Sequence, residues 1–326
     1  MSGNRHKVLV VGRLPASAMA LFAAREDIDA IEVVDTANDT LAKLMQDASG
    51  MTLRGAKISA EMIRGAPSLK VISRLGVGYD NVDIPAMNEI GAALTVVGEA
   101  NAVNVAELTL YLMLETTKQG VQHDRAIRAD NWAYRLTSYM TELWRKKVLI
   151  VGFGRVGTRV AARCRAFEMD VLVCDPYIDQ KRITDAGCMP VEDFRAVLPE
   201  IDYITLHTPL TAETRQMMGR KEFARMKKSA ILINCSRGPV VDEPALIEAL
   251  EGGVIRAAGL DVLAKEPPEA DNPLFKLDNV LMTPHMGGAS QEAVERGGLV
   301  CAQNVNDAID GRLNPDYVIN KEVLQR

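Results

Sequence analysis

The chain lacks several features that would assign it to a class at once. No apolar stretch among its 326 residues reaches membrane-spanning length. The N-terminus, Met1-Ser2-Gly3-Asn4-Arg5-His6-Lys7, passes into a strand-like run without a secretory apolar core. No membrane association is expected, and a cytoplasmic location follows by default. The five cysteines (Cys164, Cys174, Cys188, Cys235, Cys301) include no CxxC pair, and their odd number in mostly apolar settings predicts reduced, buried thiols with no metal or redox role. Basic charge is not concentrated anywhere, and the formal net charge is -5, so long contacts with a nucleic-acid backbone are not expected. A small anion in a local arginine pocket stays compatible with that balance. Histidine is scarce, with four in the chain, so one at a strand end stands out.

What is present is ordinary globular material in a telling order. Hydrophobic content is 48%, and the length suits two domains. Short apolar runs at Val8 to Val11, Ile31 to Val34, Met51 to Leu53, Val71 to Ile72 and Leu94 to Val97 alternate with helical patterns. The rhythm resumes at Val148 to Val151, Val171 to Cys174, Tyr203 to Leu206, Ala230 to Asn234, Ala257 to Leu260 and Val280 to Met282. Such alternation predicts parallel sheets covered by helices, and two α/β domains rather than one. Asn104 to Thr117 reads as a long apolar helix between them, followed by a polar stretch from Gln122 to Trp144.

The last helical pattern, Gln291 to Ile309, leaves a tail too short for a domain of its own. Because the first sheet looks incomplete, the chain is expected to cross back to it. Residues 1–101 and 292–326 then form one domain, and residues 102–291 a second domain inserted into it.

Gly152-Phe153-Gly154-Arg155-Val156-Gly157 follows the apolar run Lys147 to Val151 and opens a helical pattern from Thr158 to Phe167. In a strand–turn–helix of this kind the first glycine permits the bend, the second lets backbone approach a pyrophosphate, and the third lets helix pack on strand. The phosphates then face the helix N-terminus, beside Arg155 and Val156. Asp175 ends the next strand, 18 residues beyond Gly157, where a carboxylate accepts hydrogen bonds from the ribose hydroxyls. It would repel a 2'-phosphate, and the following Pro176-Tyr177 supplies no cation, which favours NAD over NADP. Thr208 and Pro209, at another strand end, suit the nucleotide face, whereas His207 before them reads as structural or peripheral to the cofactor rather than catalytic.

Chemistry is expected at the carboxyl ends of the second sheet's strands, facing a cleft between domains. Arg237 follows the strand ending at Asn234, where a guanidinium grips a carboxylate in two-point fashion. Glu266 lies on a loop stiffened by Pro267 and Pro268, and His285 follows the strand ending at Met282. A carboxylate beside an imidazole stabilises its protonated form and fixes the ring for proton transfer to a carbonyl oxygen.

These residues carry a family resemblance. The chain resembles the D-isomer-specific 2-hydroxyacid dehydrogenases, nearest in pattern to the phosphoglycerate dehydrogenase branch, over nearly its whole length. The resemblance rests on Arg74-Leu75-Gly76-Val77-Gly78-Tyr79-Asp80-Asn81-Val82-Asp83, the glycine run with Asp175, Leu206 to Thr211, Asn234 to Gly238, Asp261 to Pro268 and Pro284 to Gly288. It implies two Rossmann-like domains, the inserted one NAD-binding and the discontinuous one substrate-binding, hydride transfer between NAD(H) and C2 of a 2-hydroxy or 2-oxo acid, and Arg237, Glu266 and His285 as catalytic residues. It adds Cys235, Ser236, Asp261, Gly287 and Gly288 to the cofactor set, and backbone of Gly76, Val77 and Gly78 as the carboxylate holder. Bare amides around glycines suit that task. Arg54 and Arg74, at strand ends of the first domain, are expected to meet a second anionic group such as the phosphate of 3-phosphoglycerate, with Arg135 as a further candidate.

Three departures from the branch stand out: Glu142-Leu143-Trp144-Arg145 where a small Gly-Lys sequence is usual after the glutamate-leucine pair, Val77 where threonine is preferred, and no C-terminal regulatory domain. Phosphonate, sulfonate and uncharged 2-hydroxy acids, and hydroxypyruvate or glyoxylate, therefore stay open as substrates. An NAD-sensing corepressor-like module is the alternative of another class; the early end of the chain favours a stand-alone enzyme. Formate dehydrogenases share the scaffold but pair their histidine with glutamine, so Glu266 argues against that reading. Relatives imply a homodimer with the region Gln122 to Trp144 as its arm.

Overall fold

The structure, a computed structural model, describes residues 5–137 and 139–325. The chain falls into two compact units, Met1–Asn101 with Gly288–Arg326, and Ala102–Gly287. The first unit's second segment begins at Gly288, in a turn ahead of the helix Gln291–Ile309.

The first unit holds a five-stranded sheet, β1 (His6–Val11), β2 (Ile28–Val33), β3 (Gly50–Leu53), β4 (Val71–Arg74) and β5 (Ala93–Thr95), in the order β2-β1-β3-β4-β5. All pairings are parallel. In β1, Leu9 and Val11 enter one core and Val8 and Val10 another, the alternation of a strand covered on both faces. Ala302, Val305 and Ile309 of the helix Gln291–Ile309 cover the Val8 and Val10 face. That contact draws the C-terminal segment back to the first sheet. Fully burying aliphatic side chains of this size contributes about 1.5–3 kcal/mol each. The edge strand β2 runs from Ile28, not from Ile31, and Val34 lies outside it with 95% exposure. A half-covered edge strand shows an alternating pattern rather than an apolar run.

The second unit holds β6 (Lys147–Val151), β7 (Asp170–Cys174), β8 (Met189–Pro190), β9 (Tyr203–Leu206), β10 (Ile231–Asn234), β11 (Ala257–Leu260) and β12 (Val280–Met282). Their order is β12-β11-β10-β9-β6-β7-β8, again all parallel. The sequence reading lacked β8, which has two residues, one a proline, and carries no apolar run. The helix Ala102–Lys118 packs Val105, Ala106, Leu110 and Met113 with Val148 and Ile150 of β6. Its buried Thr109 and Thr117 hydroxyls donate to the carbonyls of Val105 and Met113, which keeps their polar atoms satisfied. The polar stretch beyond forms the helix Gly120–Arg128 and a 3-10 turn at Trp132–Leu136.

Candidate active site

β6, the glycine turn and the helix Gly157–Ala166 form one continuous strand–turn–helix. Gly152 sits at φ +97°, and a β-carbon there would lie 2.6 Å from the carbonyl oxygen of His207. Any side chain is excluded on both counts. At Gly154 no atom lies within 4 Å of where a β-carbon would be, so the space beside it is open. The amides of residues 154–157 donate to no described residue, and the helix N-terminus has no side-chain cap and no acid in its first turn. Open space against bare amides at a helix start suits an anion.

Asp175 follows β7 and reaches back to this turn: its Oδ2 accepts the Phe153 amide at 2.7 Å, and its Oδ1 accepts that of Tyr177 at 2.9 Å. The carboxylate is thereby fixed in direction. Thr208, after β9, has a buried hydroxyl oxygen with no partner among the described residues, and Pro209 is exposed next to it. The open face at Gly154, the bare amides, the fixed carboxylate and the orphaned hydroxyl fit a dinucleotide.

His207 contacts Thr205 Oγ1 through Nε2 at 2.9 Å, and burial pushes its pKa down to about 3. It is a neutral, structural imidazole. Burial likewise raises the Cys235 thiol to about 12, and all five cysteines are free and buried. The Ser236 hydroxyl and amide both go to Asn234 Oδ1.

At the ends of β10, β11 and β12 the second cluster assembles. His285 Nδ1 lies 2.7 Å from Glu266 Oε2, and Glu266 Oε1 accepts the Leu263 amide at 3.1 Å. That bond raises the His285 pKa above its usual value, although burial works against it. For Glu266 burial acts upward, yet the His285 bond and charge, the Leu263 amide and the Arg237 charge together outweigh it and lower the pKa. The dyad thus favours imidazolium beside carboxylate.

Arg237 is half-buried and donates through Nη1 to the Ser236 carbonyl at 2.7 Å. A β-carbon on Gly238 would lie 1.9 Å from the Leu263 carbonyl oxygen, so the Arg237 turn rests directly on the loop that leads to Glu266.

Asp261, expected among the cofactor residues, also holds the His285 loop. Its side chain accepts from the Thr283 hydroxyl at 2.6 Å and the amides of Met286 at 2.7 Å and Gly287 at 2.9 Å, and its carbonyl accepts the His285 amide. The residue is 1% exposed and lines a pocket with Glu266 and His285. Burial raises its pKa, against the pull of those donors. His285 sits at φ +52°, a left-handed conformation unusual outside glycine, and these bonds fix it there.

Two supporting residues escaped the sequence reading. Asn104 Nδ2 donates to the carbonyls of Met286 and Gly287, and Glu243 accepts from the Ala264 amide and Asn272 Nδ2 across the Glu266 loop. An asparagine in an apolar helix and an acid just past a capping Asp242 were the available signals.

In the first unit, Gly76, Val77 and Gly78 follow β4. The carbonyl of Gly76 accepts the Val97 amide at 3.2 Å and that of Gly78 accepts Arg74 Nε at 2.9 Å, while the amides of residues 76–78 donate to no described residue. Successive amides without partners suit an anion. Arg74, expected on a second anion, also donates to the carbonyls of Leu53 and Arg54. It braces this loop. Arg54 and Gly76 share a cavity of about 20 Å³ with Asn101 and Gly288, and Asn101 Oδ1 is buried without a partner among the described residues. Arg135 lies over the Trp132 ring, 5.6 Å from its centroid.

Residues 110–287 match the family model described as "D-isomer specific 2-hydroxyacid dehydrogenase, NAD binding domain". The chain belongs to this family. It is 38% identical over 96% of its length to a D-3-phosphoglycerate dehydrogenase of Methanocaldococcus jannaschii, covering 59% of that protein. It is 35% identical over 98% of its length to a glyoxylate reductase of Thermofilum pendens, covering 96% of that one. A glyoxylate reductase structure from Paecilomyes thermophila superposes with a TM-score of 0.88 at 26% identity, over 98% of this chain and 100% of the other. The chain spans between 48% and 60% of the length of the first phosphoglycerate dehydrogenases it matches.

Proposed function

We propose that the chain is an NAD-dependent D-2-hydroxyacid dehydrogenase acting on a 2-hydroxy/2-oxo acid pair. The single observation that carries this reading is the 2.7 Å contact between His285 Nδ1 and Glu266 Oε2, with Arg237 acting electrostatically on both. Gly152, Gly154, Arg155, Val156, Gly157, Asp175, Thr208 and Pro209 would hold the dinucleotide, whose nicotinamide, when bound, supplies or accepts a hydride. Arg237 binds the substrate's carboxylate and carbonyl oxygen. The bare amides of Gly76, Val77 and Gly78 would bind a carboxylate. His285 Nε2 carries the proton delivered to the C2 oxygen during reduction and receives it during oxidation, and Glu266 keeps Nδ1 oriented and the ring charged. Asp261, Asn104 and Glu243 act by positioning these loops.

Two substrate classes have support. Sequence similarity to phosphoglycerate dehydrogenases and the first unit's arginines favour a 2-hydroxy acid with a second anion such as 3-phosphoglycerate. Near-complete coverage of a glyoxylate reductase favours a small acid such as glyoxylate or hydroxypyruvate. NADH oxidation with phosphohydroxypyruvate, hydroxypyruvate, glyoxylate, pyruvate and sulfopyruvate decides between them, and absence of turnover with every one would sink the enzyme reading in favour of an NAD-sensing module.

A homodimer belongs to the same proposal. Exposed apolar side chains bunch between residues 111 and 167, among them Tyr111, Trp132, Leu136, Trp144 and Phe167, and a groove of about 500 Å³ runs past Leu110, Tyr111, Leu114 and Phe167. Light scattering after gel filtration reads the mass, and a monomer at micromolar concentration would refute it. Free, buried cysteines suit a reducing compartment, so the cytoplasm is the proposed location; among the described residues no helix is long and apolar enough to cross a membrane.

A further inference from the structure

At the strand carboxyl ends of the first unit lies a cation that the roles above leave unused. β1 and β3 run parallel with Val11 opposite Leu53, and the Arg54 amide donates to the Val11 carbonyl at 3.0 Å. The next positions abut: a β-carbon on Gly12 would lie 2.6 Å from Cβ of Arg54, and Gly12 itself has φ +96°. Only glycine fits there. Arg13 is therefore the first side chain beyond the end of β1, next to Arg54 beyond the end of β3.

Both arginines are exposed, and among the described residues neither side chain has a hydrogen-bond or ion-pair partner. Exposed Arg182, Arg215 and Arg225 likewise have no side-chain partner among the described residues, whereas Arg25 pairs with Asp27 and Asp310, Arg64 with Glu89, and Arg220 with Glu248. Around Arg13 and Arg54 the sequence supplies no counter-ion. No Asp or Glu occurs from residue 8 to 24 or from 48 to 60, although those stretches carry Arg13, Arg54 and Lys57. Arg74, the remaining arginine at these strand ends, donates to the carbonyls of Leu53, Arg54 and Gly78. Parallel α/β sheets bind ligands at strand carboxyl ends, so uncompensated guanidinium groups there select for an anion, and phosphate matches their fork geometry.

We propose that Arg13 acts with Arg54 to read a second anionic group on the substrate, and that Arg13 rather than Arg74 sets the preference for a phosphorylated 2-oxo acid. The inference rests on the dehydrogenase reading above. Its test compares kcat/KM for phosphohydroxypyruvate and hydroxypyruvate, which differ only in the phosphate. Arg13→Ala lowers the ratio of the two about ten-fold or more, chiefly through KM of the phosphorylated compound, a loss expected for one charge-assisted contact. Arg13→Lys restores part of it. Arg74→Ala lowers both values together, because it loosens the Gly76–Gly78 loop. An unaltered ratio in Arg13→Ala, with its melting temperature retained, or an equal loss on both substrates, overturns the inference.

The two readings fail separately. If the wild-type chain reduces neither compound, the dehydrogenase reading is lost, and calorimetric titration with 3-phosphoglycerate and with glycerate decides the role of Arg13. Tighter binding of the phosphorylated acid that Arg13→Ala abolishes supports that role; equal binding, no binding, or a preference that survives the substitution rejects it.

Discussion

The carbonyl oxygen of Gly152 lies 2.0 Å from the point that a β-carbon on Gly157 would occupy, so turn and helix meet backbone to backbone. Gly154, between them, borders open space. The same chemical change should therefore have opposite consequences at the two positions. Gly157→Ala is expected to destabilise the chain by about 1–3 kcal/mol, as overpacking does, and to lower the melting temperature measurably. Gly154→Ala is expected to melt like the wild type yet bind NADH about ten-fold or more weakly in a fluorescence titration, because the methyl group fills the approach to the amides. Undiminished NADH binding in Gly154→Ala would mean that no ligand backbone contact is made there.

Asp175 sets cofactor choice in a second prediction. With its two oxygens bonded to the amides of Phe153 and Tyr177, the carboxylate cannot swing away from a ribose phosphate. Asp175→Ala is expected to reduce the preference for NADH over NADPH, read as the ratio of kcat/KM, by about ten-fold or more, the order of one lost charge–charge repulsion. A preserved ratio would remove Asp175 from the ribose site.

The dyad makes a pH prediction whose sign follows from its two shifts. His285 is raised, so its contribution to stability is complete below its usual value and disappears as pH climbs through the folded value. Glu266 is lowered, so its contribution is complete above the usual carboxylate range and disappears as pH falls through the folded value. Reduction needs protonated His285, and its kcat/KM is expected to fall as pH rises past the raised pKa; oxidation should follow the reverse course. Glu266→Gln removes the largest raising influence and should move the reductive limb to lower pH, with a loss of about ten-fold or more in kcat. A limb that stays in place would show that another group titrates.

Asp261 should behave as a support for His285. Asp261→Asn trades one acceptor oxygen for a donor facing amide or hydroxyl donors, which costs about 1–3 kcal/mol for a buried unsatisfied group. Thermal melting should register that loss, and kcat should drop further than NADH affinity, since the His285 loop is displaced more than the glycine turn. Loss of NADH affinity with kcat preserved would contradict the positioning role.

The sheets were readable because buried parallel strands are short apolar runs, and β6, β7, β11 and β12 carry that mark without polar interruption. β8 and the start of β2 were not, being edge positions with one side uncovered. Glu266 and His285 could be paired from sequence because each follows its own strand of one sheet. Arg74 and Asp261 have structural contacts that were hidden for a shared reason. Sequence shows an ionisable residue at a strand end, but only coordinates show that backbone amides and carbonyls already occupy its polar atoms. Arg13 was overlooked from the opposite side, since the missing counter-ions become visible once β1 and β3 are known to be neighbours.

The low pKa of His207, about 3, has a consequence for any titration of this protein. Two imidazoles follow strands of the second sheet, yet one of them stays uncharged throughout the range in which an oxidoreductase is assayed. A pH-dependent change in a histidine resonance from those strand ends between mild acid and mild alkali is therefore assigned to His285, with the His207 resonance as a constant reference.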